Sequence, residues 1–224
     1  MGNLNIREMK NLLILGARGF GREVESIAKR DAGYGSQFRL KGYLDSDANA
    51  LDGMGSDLPI CGTPDTYVIE PGDCFVCALG SPVNRLKYAN MIADRGGEFI
   101  NLIDRSSVVN EGVKLGRGII VQNHCIISSD TKLGDYSVVQ SFTAVGHDAV
   151  VGEAAHISAY VFLGGASEVG SCAQIWTRSS VFPEVKIGAH AVVGAHSLCN
   201  RDVEPFTTVF GTPARPKMKK TNDE

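Results

Sequence analysis

The chain has 224 residues, of which 43% are hydrophobic and 21% are charged, and its formal net charge is −3 at pH 7. This length and composition are typical of a globular protein with one large or two modest domains. The slightly acidic balance and the lack of a Lys/Arg cluster outside Lys217 to Lys220 argue against a nucleic-acid-binding surface. No apolar run is long enough to cross a bilayer, and Met1 to Lys10 lacks the features of a secretory signal, so we expect a cytoplasmic protein without a membrane partner.

The first element is a short apolar strand, Leu12 to Leu15, followed by a glycine loop and a helical pattern from Arg22 to Arg30. The loop reads Gly16-Ala17-Arg18-Gly19-Phe20-Gly21. A strand, a glycine loop and a helix can hold a phosphate, because glycines let backbone N–H groups approach an anion and the helix dipole favours it. The glycine order differs from G-x-G-x-x-G, so a nicotinamide cofactor is not indicated. The alternative is a tight turn that binds nothing.

Two further strands are predicted in the first hundred residues. Leu40 to Leu44 ends at Asp45, and Cys74 to Leu79 ends at Gly80. Ligands of open α/β sheets bind at the carboxyl ends of such strands. Asp45 is therefore expected either to accept hydrogen bonds from a ribose or a base, or to begin a turn.

Pro82 suits the first turn of a second helix, which is predicted to reach about Arg95. Phe99 to Leu102 then leads into the repeat described below. Residues 1–102 therefore predict a small Rossmann-like domain, too short for a whole dehydrogenase domain.

The cysteines are predicted to be buried free thiols, since no secretory context is present to oxidise them. Cys74-x-x-Cys77 resembles half of a zinc or redox site, but it lies within an apolar strand, so we favour the strand and predict no metal site. The cysteines stand at positions 61, 74, 77, 125, 172 and 199.

A repeat dominates the second half of the chain. An aliphatic residue recurs at every sixth position, and at every third recurrence it is followed by glycine, from Leu115-Gly116 to Ile187-Gly188. A period of six matches neither the period of about 3.6 of a helix nor the period of about 2 of a strand, so it indicates a repeat architecture. The aliphatic column is Ile103, Val109, Leu115, Val121, Ile127, Leu133, Val139, Val145, Val151, Ile157, Leu163, Val169, Ile175, Val181, Ile187 and Val193.

The position four residues after each aliphatic residue is mostly small, which predicts a corner. We expect a triangular prism in which each six-residue unit forms one short strand and a turn, and three units complete a coil. Residues 103–224 would form about five such coils, stacked about 4.8 Å apart, with a C-terminal cap. The small positions are Cys125, Thr131, Ser137, Thr143, Ala149, Ala155, Ser167, Ala173, Ser179, Ala191 and Ser197.

The histidines all lie in the repeat. His124, His190 and His196 fall three residues after an aliphatic position and are interpreted as solvated corner residues. His147 and His156 occupy other phases and lie half a coil apart. Because aliphatic side chains fill the prism, a site must form on its outside, most naturally in a groove between neighbouring prisms of an oligomer.

Gly165 follows His147 by three of the six-residue units, which is one coil, and is therefore expected beside it on the next coil. A glycine at that position would leave a lane for a long, thin ligand. The alternative is that Gly165 only eases the turn of the coil.

These motifs resemble the hexapeptide-repeat, left-handed β-helix acyltransferases, in the branch that includes sialic acid O-acetyltransferases and N-acetyltransferases of UDP-4-amino sugars. The resemblance extends from Leu12 to Arg215. It depends on the Gly-x-x-Gly-x-Gly loop, Asp45, His147-Asp148 with His156 nine residues on, and the terminal Gly211-Thr212-Pro213-Ala214-Arg215.

The resemblance implies that His147 is a general base, that Asp148 orients it, and that His156 hydrogen-bonds the acetyl or thioester end of acetyl-CoA. It also implies that Gly165, Gly211, Pro213 and Ala214 line a groove for pantetheine. Asp148 is shorter than the glutamate that some members carry.

By the same resemblance, a sugar nucleotide would be held by Gly16, Ala17, Arg18, Gly19, Asp45 and Gly80. Arg18 stands where such proteins often carry a small residue or a histidine. A homotrimer with active sites between subunits, acetyl-CoA as co-substrate and no metal are implied as well.

The sequence thus predicts an acetyl-CoA-dependent N-acetyltransferase acting on a nucleotide-linked amino sugar, with UDP as the expected nucleotide, in bacterial glycan or surface polysaccharide synthesis. One alternative keeps the chemistry and changes the acceptor to a hydroxyl of a sialic-acid-type sugar. A second alternative is a non-catalytic binder of sugar nucleotides on the same fold.

Overall fold

The computed structural model describes residues 9–217. Most of the segment considered above as a secretory signal, from Met1 to Glu8, lies outside these residues, and so does the part of the basic stretch that follows Lys217. Within the described range, no helix has the length and apolar character needed to cross a membrane.

The first domain is a parallel sheet with one helix on each face. Its strands follow the order β3-β2-β1-β4-β5, which is a doubly wound arrangement. In chain order its elements are β1 (Lys10–Leu15), α1 (Gly19–Arg30), β2 (Phe38–Leu44), β3 (Ile60–Gly62), β4 (Asp73–Cys77), α2 (Pro82–Ala93) and β5 (Glu98–Phe99).

The apolar run of β1 is buried on both faces, as expected for a central parallel strand. Leu12 and Ile14 pack in one cluster with α1, while Leu13 and Leu15 pack in another with α2. The sequence did not predict β3, whose three residues include a terminal glycine and carry no alternating pattern. Helix α1 begins at Gly19, so part of the predicted glycine loop is already helical.

Cys74 and Cys77 are both buried in β4, but they belong to clusters on opposite faces of the sheet. Side chains separated by an odd number of residues in a strand point to opposite sides. Burial also raises the pKa of both thiols to about 12. The pair is therefore a structural part of the core. Residues 9–217 contain no group of three or more His, Cys, Asp or Glu side chains arranged to hold a metal ion.

The second domain is a solenoid of very short parallel strands that form three faces. Its strands are β6 (Leu102–Ile103), β7 (Val108–Val109), β8 (Lys114–Leu115), β9 (Ile120–Val121), β10 (Ile126–Ile127), β11 (Lys132–Leu133), β12 (Val138–Val139), β13 (Ala144–Val145), β14 (Val150–Val151), β15 (His156–Ile157), β16 (Phe162–Leu163), β17 (Glu168–Val169), β18 (Gln174–Ile175), β19 (Ser180–Val181), β20 (Lys186–Ile187), β21 (Val192–Val193), β22 (Leu198–Cys199), β23 (Thr208–Phe210) and β24 (Arg215–Pro216).

We name the faces by their strands. The first face contains β6, β9, β12, β15, β18, β21, β23 and β24; the second contains β7, β10, β13, β16, β19 and β22; the third contains β8, β11, β14, β17 and β20. The strands from β6 to β23 each pair in parallel with a strand one coil away, as Val139 pairs with Ile157, while β24 pairs antiparallel with β23. The predicted Rossmann-like sheet followed by a parallel β-helix is confirmed.

The helix has more coils than the five that were predicted, since the second face alone has six strands. The last coil is shorter than the others. In the last coil Val193 pairs with Val209, and in the coil before it Ile175 pairs with Val193. Fewer residues separate the first pair than the second. The spacing signal therefore ends before the solenoid does.

The corners have a backbone conformation that repeats with the sequence. Non-glycine residues three positions after an inward aliphatic residue have φ between 51° and 63°, the left-handed region. The small column beside them is buried, and three of its hydroxyls donate to carbonyls of the next coil, as when Thr143 Oγ1 donates to the Ser158 carbonyl at 2.9 Å. The Ser137 and Ser167 hydroxyls have no hydrogen-bond partner among the described residues. His124, His190 and His196 all lie at such corners.

The aliphatic column is buried along most of the helix, but Val109 and Leu115 are each 36% exposed. Both belong to the first coil, on the second and third faces. The first domain instead packs on the first face, where it buries Ile120 and Val138 in one cluster with α1. The first domain therefore covers the first face of the prism and leaves much of the end of the prism uncovered.

Candidate active site

His147 and Asp148 form a pair at an exposed corner of the solenoid, just after β13. His147 Nδ1 and Asp148 Oδ2 are 2.7 Å apart, and the two side chains are 71% and 61% exposed. Asp148 has φ of 59°, a conformation that aspartate tolerates better than most residues. Because the carboxylate accepts from Nδ1–H, the lone pair of His147 is on Nε2, which faces away from Asp148.

Gly165 lies against the His147 ring on the next coil. A Cβ atom at Gly165 would come within 2.7 Å of His147 Nε2 and 2.8 Å of Cε1. Any larger residue would push the imidazole out of its position. Glycine at this position thus leaves the imidazole ring where it is and keeps the space along the corner open.

His156 occupies a different environment. It opens β15 on the first face, is 9% exposed, and its ring centroid lies 6.2 Å from that of Phe20 in α1. Burial, and secondly the positive charge of Arg85, lower its pKa from 6.5 to about 3. His156 is therefore neutral at physiological pH. Within one chain, His147 and His156 lie at different sides of the prism and do not contact each other.

Arg85, a fully buried residue of α2 that contacts His156, was not predicted from the sequence. Arg85 Nη1 lies 3.4 Å from His156 Nδ1. A signal was present in the sequence: the buried residues of α2 are Pro82, Arg85, Ala89 and Ile92, a helical spacing that places the arginine on the inward side.

A cavity of 110 Å³ opens at the carboxyl ends of β1 and β2. Gly16 and Asp45, two of the residues predicted to hold a sugar nucleotide, line it together with Asp65 and Tyr88, which the sequence did not indicate. Asp45 Oδ2 accepts from the Ala17 N–H at 2.8 Å, and its Oδ1 accepts from the Asp47 N–H at 3.0 Å. Asp45 therefore both begins a turn and lines the cavity.

The glycines of the loop differ in what they do. A Cβ at Gly21 would lie 2.0 Å from the Gly16 carbonyl oxygen, so this position requires glycine. Gly19 and Gly80 instead face open space. Arg18 is exposed, and its Nη2 lies 3.3 Å from Asp47 Oδ2.

The C-terminal turn folds back on the last strand of the second face, β22. Gly211 has φ of +99°, its N–H donates to Ser197 Oγ at 3.0 Å, and the Ala214 N–H donates to the Leu198 carbonyl at 2.8 Å. Pro213 lies within the same turn. Strands β19 and β22 lie between the coil of Gly165 and this turn, a distance of about 14 Å along the solenoid axis.

Comparisons with known proteins agree with this architecture. Residues 11–92 match the family model "PglD N-terminal domain". A variant of perosamine N-acetyltransferase from Caulobacter crescentus, in complex with CoA and GDP-perosamine, is 26% identical with a TM-score of 0.84; the match covers 93% of this chain and 97% of that one. A second structure from that organism, also with CoA and GDP-perosamine, is 28% identical with a TM-score of 0.82, over the same shares of both chains.

Chloramphenicol acetyltransferase from Klebsiella aerogenes is 44% identical over 50 residues, which are 22% of this chain and 24% of that protein. This chain therefore matches about a quarter of the length of that relative. The N-terminal family match, the hexapeptide solenoid and the similarity to solved acetyltransferases over nearly the whole chain confirm the resemblance to the hexapeptide-repeat, left-handed β-helix acyltransferases, in the branch with a Rossmann-like N-terminal domain.

Proposed function

We propose that the chain is an acetyl-CoA-dependent N-acetyltransferase that acetylates the amino group of a nucleotide-linked sugar. The observation that carries the proposal is the exposed His147–Asp148 pair, with Gly165 against the imidazole. Histidine is suited to general-base catalysis near neutral pH.

In the proposed reaction, the sugar amine attacks the thioester carbonyl carbon and loses a proton to His147 Nε2. Asp148 stabilises the imidazolium that results. The tetrahedral intermediate collapses with cleavage of the C–S bond, and the proton returns to the leaving thiolate of CoA. The Gly165 N–H, which bonds none of the described residues, is the proposed donor to the oxyanion.

The acetyl donor is proposed to lie along the corner between Gly165 and the turn from Gly211 to Ala214. The separation of about 14 Å along the axis suits an extended arm such as pantetheine. The solved relatives support CoA as the ligand, because both structures contain it. Direct transfer from a thioester requires no metal.

The acceptor is proposed to bind the first domain. Gly19 leaves open space at the N-terminus of α1, where a diphosphate is favoured by the free N–H groups and the helix dipole. The cavity lined by Asp45 and Tyr88 would take part of the nucleoside. Both solved relatives contain GDP-perosamine, so GDP stands beside UDP as a candidate, and the choice of UDP stays a prediction.

A homotrimer with active sites between subunits remains part of the proposal. His147 and His156 lie at different sides of one prism, and a second copy can bring the two together. Large apolar residues on and next to the second face support such packing: Ile126, Phe162 and Phe182 are each about half exposed. Light scattering of the full chain would test the assembly.

The first experiment measures release of CoA thiol from acetyl-CoA with UDP-, GDP- and dTDP-linked amino sugars. We expect turnover with one of them and a loss of about 10²- to 10⁴-fold in kcat in His147→Ala. His190→Ala is the matched control, because His190 is also a corner histidine but stacks on Phe206. Turnover only with a sugar hydroxyl acceptor would favour O-acetylation, and binding without any turnover would favour the non-catalytic alternative.

A further inference from the structure

Arg85 is a buried cation whose N–H groups are all used inside the protein. A guanidinium has five N–H donors and no acceptor. The structure supplies an acceptor for each: the carbonyl oxygens of Tyr136 at 2.9 Å, Leu79 at 2.8 Å, Ala154 at 2.7 Å and Ala155 at 3.2 Å, and His156 Nδ1 at 3.4 Å. No carboxylate among the described residues pairs with it.

This arrangement fixes the protons of His156. Arg85 can only donate, so His156 Nδ1 must accept and cannot carry the ring proton. A neutral imidazole then carries its proton on Nε2. Arg85 is the charged group that faces the ring, and Phe20 of α1 is its aromatic neighbour.

We propose that Arg85 is a positioning residue that holds His156 as the neutral Nε2–H tautomer, so that His156 acts in the reaction as a hydrogen-bond donor and not as a base. This inference rests on the proposed function, together with the role that the family resemblance implies for His156, a hydrogen bond to the acetyl or thioester end of acetyl-CoA. The two histidines then have opposite tautomers: a carboxylate leaves Nε2 of His147 free to accept, and a guanidinium leaves Nε2 of His156 free to donate.

The same side chain joins the two domains. Its bond to the Leu79 carbonyl reaches a residue that lines the cavity of the first domain, while Tyr136, Ala154 and Ala155 belong to two coils of the solenoid. Burying a charge is costly unless it is fully hydrogen-bonded, and here it is. Arg85 thus places the donor histidine relative to the proposed acceptor site.

A direct test uses the wild-type full chain labelled with ¹⁵N-histidine, with His156→Gln to assign the signal. We expect the His156 spectrum to show protonated Nε2 and unprotonated Nδ1 at neutral pH. A proton on Nδ1, or on both nitrogens, would overturn the proposal. This measurement needs no substrate, so it stands even if the proposed acetyl transfer is not found.

A kinetic test compares Arg85→Lys in two backgrounds. In the wild type we expect kcat to fall by about 10- to 100-fold, the range known for residues that orient metal-ligating histidines. Gln at position 156 retains an amide donor without a tautomer, so Arg85→Lys should have little further effect on kcat in His156→Gln. An equal loss in both backgrounds would show a merely structural role and overturn the proposal. Arg117→Lys, at an exposed arginine, is the control.

Discussion

The two domains of this chain differ in how regular their strand pairing is. In the solenoid, the strands from β6 to β23 each pair with a strand one coil away, and each inward position repeats the chemistry of the previous one. In the first domain, β1 pairs with β2 and β4, which are separated by long connections, and its loops are all different. The regular domain provides fixed positions, and the irregular domain provides a cavity.

The candidate site lies where this regularity is interrupted. His147 lies at an ordinary corner, yet its ring is held by Asp148 on one side and Gly165 on the other. His156 occupies an outward position of the first face, where the first domain covers it as it covers Ile120 and Val138 on the preceding coils. The proposed function therefore depends on a few side chains that depart from the repeat.

The largest expected effect on stability comes from truncating a side chain of the inward aliphatic column. Leu133→Ala removes a buried side chain of β11, and we expect it to lower the free energy of unfolding by about 2 to 5 kcal/mol. Lys132→Ala, on the outward side of the same strand, should change it by less than about 0.5 kcal/mol. Denaturant unfolding followed by circular dichroism measures both. Equal effects would mean that the column does not stabilise the helix as described.

The contact between the domains should make stability depend on pH. The folded chain keeps His156 neutral down to a pKa of about 3, while the unfolded chain takes up a proton near the ordinary value of 6.5. The unfolded state therefore binds more protons below pH 6.5, and stability falls as pH falls. Between pH 6.5 and about pH 4.5 we expect a loss of about 2 to 3 kcal/mol.

The matched variant for this pH experiment is His156→Gln, which has no group that titrates at this position. Its free energy of unfolding should change less with pH across the same window. A variant curve parallel to that of the wild type would show that His156 is not the origin of the effect.

The smallest effect concerns the glycine loop of the first domain. Gly21→Ala brings a Cβ against the Gly16 carbonyl, and we expect a loss of about 1 to 3 kcal/mol in stability. Gly19→Ala faces open space and should leave the melting temperature nearly unchanged. If the diphosphate binds at the N-terminus of α1, the same Gly19→Ala variant should weaken binding of the nucleotide sugar although its stability is unchanged. Calorimetry can measure this loss of affinity.

The solenoid could be predicted from sequence because its signal is periodic. An error at one position, such as the first coil or the shortened last coil, does not hide the other units. The place of His147 beside Gly165 follows from the same spacing of one coil.

What covers the outside of the prism could not be predicted in this way. Periodicity assigns His156 to an outward position but says nothing about the helix that packs on it. Arg85 carries a helical signal, yet a charged residue on an inward face conflicts with ordinary hydrophobic patterning, so its burial depends on carbonyl groups from the other domain. Residues that meet across domains leave no local pattern.

The shortened last coil shows that the stack tolerates a change of length within a turn, whereas its height changes only by whole coils. The distance between the Gly165 corner and the C-terminal turn is consequently quantised, in steps of about 4.8 Å. A protein with this plan can lengthen or shorten the reach of an extended ligand by gaining or losing one coil, without altering the geometry of either end.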